Sequence, residues 1–73
     1  MCLAELKTNK SAKVLDIKPC ENKLRFLQMG IVPQTEVTVV FKAAFSGPIE
    51  IAIRGYRLTL RKSDAEKIII SPL

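Results

Sequence analysis

The sequence of 73 residues, with a mass of 8.1 kDa, has room for one domain, expected to span residues 1–73, because two domains would each be too short to fold unaided. Its 48% hydrophobic and 26% charged residues exclude a disordered chain, and so small a core excludes a deep substrate cavity. Twelve basic against seven acidic residues give a net charge of +5, which favours an acidic protein, a nucleic acid or an anionic membrane surface as the partner.

The first predicted element is a strand at 11–18, where residues that favour β structure predominate. Its apolar alternation shifts between the pair Ala12 and Val14 and the pair Leu15 and Ile17, which is typical of a bulge or a bend. We therefore expect a bent first strand.

A short amphipathic helix is predicted at 21–29. Asn22 is placed to cap its N-terminus, and Gly30 is placed as the residue that follows its C-terminus. The apolar residues at helical spacing are Leu24, Leu27 and Ile31. Such a stripe usually packs onto a sheet, and the alternative is that it binds in a groove of a partner.

A second strand with strict alternation begins at Thr35 and is followed by a loop at 43–48. The side chains expected to face the core are Val37, Val39 and Phe41. Those expected to face the other way are Glu36, Thr38, Val40 and Lys42.

The segment 49–61 is predicted to form an antiparallel hairpin, in which Gly55 supplies the positive φ of a tight turn. Its apolar face comprises Ile49, Ile51, Ile53, Tyr56, Leu58 and Leu60. The densest positive charge of the chain lies on or beside its polar face, in Arg54, Arg57, Arg61 and Lys62. This basic patch is either a partner-binding surface or an ordinary solvated face that protects an edge strand.

Ser63 and Glu66 have the spacing of a capping box and predict one helical turn before a last strand at 67–70. About five short strands would leave exposed edges unless the sheet closes on itself. We therefore expect a mainly β fold, a small SH3-like barrel with one short helix after the first strand and a helical turn before the last. The helix would cap one end through Leu24 and Leu27. The predicted core comprises Val14, Ile17, Val37, Val39, Phe41, Ile49, Ile51, Ile53, Leu58, Leu60 and Ile68.

No segment of the sequence resembles a membrane span or a secretory signal. The apolar runs are short, such as the three residues of 68–70, far fewer than the ~18 of a spanning helix. Residues 1–10 lack the charged start and apolar stretch of a signal peptide, so a cytoplasmic location is expected. Cys2 and Cys20 are expected to be reduced, small apolar residues, with a disulfide as the alternative.

The sequence holds little chemistry for catalysis or metal binding. It has no His, the usual acid or base near neutral pH, and nothing places a base beside either cysteine. We therefore expect no catalytic residue and no enzyme activity. The glycines form no phosphate-binding motif, and no close pair of Cys or His suggests zinc. Neither a cofactor nor a metal site is expected.

Nucleic-acid binding is an alternative that the charge permits, although it usually relies on exposed aromatic rings among the basic residues. Tyr56 and Phe41 are expected in the core. This leaves Phe26 and Phe45 as the only rings that could be exposed, and neither lies within the basic run. A nucleic-acid-binding module is therefore the weaker interpretation.

Three segments of the sequence match a known pattern in their order and spacing. They are Arg25-Phe26-Leu27-Gln28-Met29-Gly30-Ile31-Val32-Pro33, Gly47-Pro48-Ile49-Glu50-Ile51, and Arg54-Gly55-Tyr56-Arg57-Leu58 with Leu60-Arg61. With these segments the chain resembles the ferrous iron transport protein A (FeoA) family from about Leu6 to Ile70. Three places depart from the family pattern, namely Cys20, Gln34 and the pair Ser46-Gly47. Gln34 stands where the family usually has the Gly that a type II turn favours, so we expect a type I or locally adjusted turn.

The resemblance implies a small cytoplasmic SH3-like protein that works with the membrane ferrous iron transporter FeoB, through its GTP-binding domain or its membrane portion. It also implies a non-enzymatic adaptor or regulator. The alternative is a stand-alone equivalent of the SH3-like domain of iron-dependent repressors of the diphtheria-toxin-repressor type. Self-association stays open.

A docking site is predicted beside the helix. Its apolar residues would be Phe26, Met29, Ile31 and Val32. Its steering charges would be Arg54, Arg57 and Arg61. This hypothesis rests on apolar residues at the rim of a loop, next to a basic face.

Overall fold

Five antiparallel strands and two short helices make up the fold in the computed structural model, which describes all 73 residues. In chain order the elements are a 3₁₀ turn at Leu3–Glu5, β1 at Ser11–Ile17, α1 at Lys23–Gln28, β2 at Glu36–Lys42, β3 at Ile49–Ile53, β4 at Tyr56–Leu60, α2 at Lys62–Ala65 and β5 at Ile68–Pro72. The strands form one sheet in the order β4-β3-β2-β1-β5, so the predicted mainly β fold is confirmed. Neither helix is long and apolar enough to cross a membrane.

The first strand is bent, as predicted from its shifted alternation. The pairing of β1 with β5 shifts register between Val14 and Asp16, so that Leu15 is the extra residue of a bulge. Val14 and Ile17 are buried while Leu15 is exposed. The bulge therefore lets both ends of the strand contribute to the same core.

A second bulge, in β2, changes which side chains that strand buries. The register shifts between Val39 and Phe41, so that Phe41 pairs with Glu50 instead of a core residue. Phe41 is 57% exposed, and the prediction that it lies in the core is wrong. Lys42 moves to the inner side of the strand, where its Nζ donates to the carbonyl oxygen of Ala4 at 2.9 Å.

The core consists of 16 buried apolar residues. Those that the strand alternation predicts correctly are Val14, Ile17, Val37, Val39, Ile49, Ile51, Ile53, Leu60 and Ile68. Leu58 is half-buried and packs against them. The additional core residues are Leu3, Leu6, Ala12, Phe26, Ile31, Ala65 and Ile70.

The N-terminal segment covers the outer edge of β5. The N–H of Ile70 donates to the carbonyl of Met1 at 2.8 Å, and Cys2 pairs with Ile69 in a single β-bridge. The N–H of Cys2 also donates to Oε1 of Glu5 at 2.9 Å, and this bond lowers the pKa of Glu5. The bond to ionised Glu5 therefore stabilises the 3₁₀ turn fully at pH values above the ordinary pKa of glutamate. This stabilisation is lost as the pH falls through the lowered pKa of Glu5.

Helix α1 buries a different residue from the one its apolar spacing suggests. Phe26 is 2% exposed whereas Leu24 is 68% exposed, so the predicted capping role of Leu24 is wrong. Leu27, the other residue predicted for this role, is half-buried and packs against the core. The helix has six residues, and its C-terminal cap orients it. The N–H of Gly30 donates to Leu27 at 3.1 Å and that of Ile31 donates to Phe26 at 3.0 Å, which is a Schellman motif. This motif brings Phe26 and Ile31 to the same side, inside the core.

The predicted capping box before the last strand does not form. Helix α2 begins at Lys62 with Arg61 as its N-cap residue, and no side-chain cap bond is made there. Ser63 is therefore already inside the helix and cannot cap it. In contrast, the predicted tight turn between β3 and β4 is confirmed, because Arg54 and Gly55 both have positive φ, at 50° and 85°.

The turn between α1 and β2 keeps type II geometry without a glycine. Gln34 has a φ of 76°, and the N–H of Thr35 donates to the carbonyl of Val32 at 3.1 Å. The type I alternative expected at Gln34 is therefore wrong. Two bonds to β1 hold the turn in place, because Val14 accepts from Gln34 at 2.8 Å and donates to Thr35 at 2.8 Å.

Replacing Gln34 with glycine should raise the free energy of unfolding by about 0.5–1 kcal/mol. The gain comes from relief of left-handed strain, reduced by the greater freedom of glycine in the unfolded chain. Urea denaturation measures it. Gln34→Ala is the matched control, because it removes the same side chain but keeps a Cβ at positive φ. Equal stabilisation by both variants would contradict the strain explanation.

Candidate functional site

A groove of about 560 Å³ lies between helix α1 and strand β4, and we call it the α1–β4 groove. Its lining residues are Glu21, Asn22, Arg25, Phe26, Met29, Leu58, Thr59, Leu60, Arg61 and Asp64. Four of these residues are hydrophobic, and charged groups from both walls surround them. The groove is therefore an amphipathic surface feature and not a buried cavity.

Two contacts join the walls of the groove, one near each end of the helix. Asn22 is the N-cap residue of α1 as predicted, but its side chain makes no cap bond, and its Nδ2 instead donates to Oδ1 of Asp64 at 3.3 Å. At the other end, the hydroxyl of Tyr56 donates to the carbonyl of Met29. The contacts show that α1 runs antiparallel to β4, and they fix the distance between the walls.

Gly30 permits a close approach at the Tyr56 end of the groove. It has a φ of 96°, and a Cβ built on it would lie 3.2 Å from Cδ of Arg54 and 3.5 Å from Oη of Tyr56. Gly30 is thus needed both for its backbone conformation and for the space that the hairpin occupies. The Met29-Gly30 segment and the Arg54-Gly55-Tyr56 segment are thus in direct contact.

The structure separates the four apolar residues predicted for docking. Phe26 and Ile31 are 2% and 0% exposed, so they are core residues with almost no surface to offer a partner. The expectation of an exposed ring at Phe26 is wrong. Met29 and Val32 are half-buried and retain accessible surface. A partner would therefore contact mainly Met29 at this site, since Met29 lines the groove.

The three arginines predicted as steering charges are all exposed. Nη1 of Arg57 lies 3.4 Å from Oε2 of Glu50, and Nε of Arg61 lies 3.3 Å from Oδ2 of Asp64. Exposed ion pairs of this kind contribute about 0–1 kcal/mol, so both guanidinium groups can exchange partners at little cost. Arg61 lines the groove and Arg54 stands over Gly30 at its end.

Lys62 does not extend the arginine cluster. Its Nζ lies 3.4 Å from Oγ of Ser46, in the loop between β2 and β3. In the sequence Lys62 is adjacent to Arg61, but the start of α2 turns the two side chains to different neighbours. The predicted basic patch is therefore narrower in the structure and centred on β4.

The sequence did not reveal several exposed aromatic or groove-lining residues. Phe41 and Tyr56 are exposed although they were assigned to the core, and Phe45 is fully exposed as predicted. Thr59 and Leu58 line the groove, and no local pattern marks them. Leu58 and Thr59 line the groove because β4 is an edge strand. Recognising an edge strand requires the order of the strands in the sheet, which the alternation of side chains does not give.

The chain holds no group of three or more His, Cys, Asp or Glu side chains that could bind a metal ion. Cys2 and Cys20 are free thiols and half-buried, as expected from the sequence. The chemistry of the α1–β4 groove is therefore that of hydrogen bonding, apolar contact and ionic attraction.

Comparison with known proteins gives consistent matches. A family model described as FeoA domain matches residues 1–72. An FeoA-like protein from Clostridium acetobutylicum has 36% sequence identity and a TM-score of 0.90, with 100% of this chain and 86% of that chain covered. FeoA from Stenotrophomonas maltophilia, complexed with zinc and described as a prokaryotic SH3 domain protein, has 28% identity and a TM-score of 0.85, with 97% and 89% covered. The SH3-like fold expected from the sequence is thereby confirmed.

A regulatory protein also contains this fold. A manganese-dependent transcriptional repressor in complex with manganese has 25% identity and a TM-score of 0.88, with 100% of this chain but only 36% of that chain covered. The match is thus to a part of the repressor. No match is found among curated protein sequences.

Proposed function

Because the chain belongs to the FeoA family, we propose that it is a cytoplasmic accessory protein of ferrous iron uptake that acts by binding the membrane transporter FeoB. The family and the similar structures support a role in ferrous iron transport. The Stenotrophomonas maltophilia relative is described as a candidate activating factor of that transport. We further propose that the chain contributes binding and not catalysis.

The observation that carries this proposal is the cluster of exposed arginines beside the α1–β4 groove. Arg57 and Arg61 are 69% and 72% exposed at their side chains, and neither is held by a buried partner. Such charges accelerate the encounter with an acidic partner surface, and the groove beside them offers apolar contact at Met29. A surface of this kind suits a reversible contact between proteins.

The double substitution Arg57→Glu with Arg61→Glu should weaken binding to the cytoplasmic GTP-binding domain of FeoB by about tenfold or more. The reason is that two attractive charges become repulsive at a surface that faces an acidic partner. Isothermal titration calorimetry of the purified pair measures the affinity. The fold should persist, since both ion pairs are exposed.

Lys13→Glu with Lys67→Glu is the control for the change in total charge. Both lysines are exposed and neither lines the groove. The affinity of this variant should lie within about threefold of that of the unmodified protein. The reason is that the changed charges lie away from the groove and act there only through screened, long-range electrostatics. If both double variants lose the same affinity, or neither loses any, the arginine cluster is not the contact surface.

A second candidate function is a stand-alone relative of a repressor's regulatory domain, and the match to part of the manganese-dependent repressor favours it. Such a protein would bind a DNA-binding partner or DNA itself. Titration of the labelled protein with duplex DNA tests the latter, with an affinity that falls steeply with salt if phosphates are contacted. We expect no saturable binding, because no ring lies between Arg57 and Arg61, and Tyr56, the one ring of β4, is held by its bond to Met29.

A further inference from the structure

Strand β4 has an unpaired edge. It pairs with β3 alone, through five residue pairs in regular antiparallel register. Because Ile53 and Tyr56 flank a two-residue turn, they exchange hydrogen bonds, and the bonded pairs then alternate along the hairpin. The N–H and C=O groups of Arg57 and Thr59 consequently point away from β3, and no other backbone bond involves either residue.

The opposite edge of the sheet is protected. The N-terminal segment pairs with β5 through Met1 and Cys2, and Pro72 ends that strand. Proteins usually cover, bulge or interrupt an edge strand, because exposed backbone groups recruit other chains. β4 contains no bulge and no proline. It is therefore the one edge of this sheet that can accept another strand.

The α1–β4 groove lies directly beside this edge. Leu58 on its strand wall and Met29 on its helix wall are half-buried and offer accessible apolar surface, whereas Leu60 is 4% exposed and offers almost none. Along β4 the side chains of Leu58 and Leu60 lie on one face of the strand, and the side chain of Arg57 lies on the opposite face. A strand added beside β4 would place one set of side chains over the apolar groove and the alternate set beside Arg57.

The charges at this edge favour an acidic occupant. Three positive side chains border the strand edge, those of Arg25, Arg57 and Arg61. Two carboxylates, those of Glu21 and Asp64, partly offset their charge. Asp64 is already engaged by Asn22 and Arg61. A carboxylate beside Arg57 would replace or share its weak exposed contact with Glu50, whereas an added lysine there would be repelled.

We propose that β4 binds a short extended segment of a partner protein as a sixth strand, with apolar side chains over the α1–β4 groove and acidic side chains beside Arg57. About three residues suffice to pair with the outward groups of Arg57 and Thr59. This inference rests on the proposed function, in which the partner is a protein. It specifies a β-augmentation mode, with affinity from the main chain and selectivity from alternate side chains.

The test is an NMR titration of the labelled protein with a blocked seven-residue peptide of alternating valine and glutamate. Saturable shifts are expected at the amides of Arg57 and Thr59 and at Met29. Thr59→Pro should weaken this binding by about tenfold or more, because it removes an outward N–H and places a ring at the edge. Thr59→Ala keeps the N–H and should bind within about threefold of the unmodified protein.

The hairpin itself should survive the proline. The N–H of Thr59 takes no part in pairing with β3, and proline is tolerated at such positions of edge strands. Unchanged amide shifts in β3 verify this for the free variant. If the variant is unfolded, a peptide of alternating valine and N-methylated glutamate replaces it, since that peptide lacks the donors of the added strand and should not bind.

Three outcomes would each overturn the inference. They are retained binding of the peptide by the folded Thr59→Pro variant, equal binding of a peptide of alternating valine and lysine, and chemical-shift changes confined to elements other than β4 and α1. A parallel titration with the FeoB GTP-binding domain separates it from the proposed function. If that domain binds the unmodified protein and Thr59→Pro equally, strand addition fails and the adaptor function stands. If the domain fails to bind while the peptide binds as expected, strand addition stands and the proposed contact with this domain fails.

Discussion

Replacing Phe26 with alanine should lower the free energy of unfolding by about 3–5 kcal/mol, enough to leave much of the protein unfolded. Phe26 is 2% exposed and is the largest side chain that α1 contributes to the core. Its removal leaves a cavity that the short helix cannot fill by shifting, because the Schellman cap ties it to Ile31. A core of this size supplies only about 3–5 kcal/mol of net stability. Urea denaturation followed by circular dichroism measures the loss.

Leu24→Ala is the matched control for this prediction. Leu24 lies in the same helix and has the better helical spacing in the sequence, but it is 68% exposed. Its truncation should change the free energy of unfolding by less than about 0.5 kcal/mol. If Leu24→Ala is the more destabilising variant, α1 packs through Leu24 instead of Phe26, and the orientation of α1 is wrong.

The second large effect is expected at Gly30, where alanine should cost about 2–3 kcal/mol. Part of this cost is the strain of a φ of 96° in a residue with a Cβ. The rest comes from crowding, since the new Cβ would lie 3.2 Å from Cδ of Arg54. The Tyr56 contact with Met29 should loosen as well. Thermal and urea denaturation measure the stability, and the Tyr56 ring resonances report the contact.

Gly55→Ala separates the two causes. Gly55 has a similar φ of 85°, but a Cβ there would meet no atom within 4 Å. We expect it to cost about 1–2 kcal/mol, from backbone strain alone. Adding Arg54→Ala to Gly30→Ala should recover the crowding part. Equal losses in the two single glycine variants would show that the close approach of the hairpin to α1 contributes nothing.

The strands were predictable because alternation depends on adjacent residues. Ile49, Ile51 and Ile53 are all buried, and the shift at Leu15 correctly marked the first bulge. The bulge of β2 was not predictable, since Val40 and Phe41 are both apolar and the alternation continues through them unbroken. The extra residue shows only in the pairing with Glu50. A change of face at one position thus moved Phe41 from core to surface.

The candidate site was only partly predictable for a similar reason. The arginines of β4 were found because the hairpin alternates clearly, and Arg57 and Arg61 are exposed as expected. The prediction of the apolar docking residues was partly wrong, since Phe26 and Ile31 are buried. A helix of six residues has too little periodicity to show which of its sides meets the sheet. The C-terminal cap decides it, by placing Ile31 against Phe26. The open edge at Thr59 depends on strand order, which no local pattern contains.

The two contacts at the ends of α1, one with Asp64 of α2 and one with Tyr56 of β4, also limit how many residues of a ligand the α1–β4 groove can hold. Six helical residues extend about 9 Å, which matches about three residues of extended chain. So short a segment occurs by chance in many proteins, so the alternate side chains supply only part of the selectivity. The rest of the selectivity would come from a high local concentration of the right partner, as when the segment is tethered close to the edge of β4.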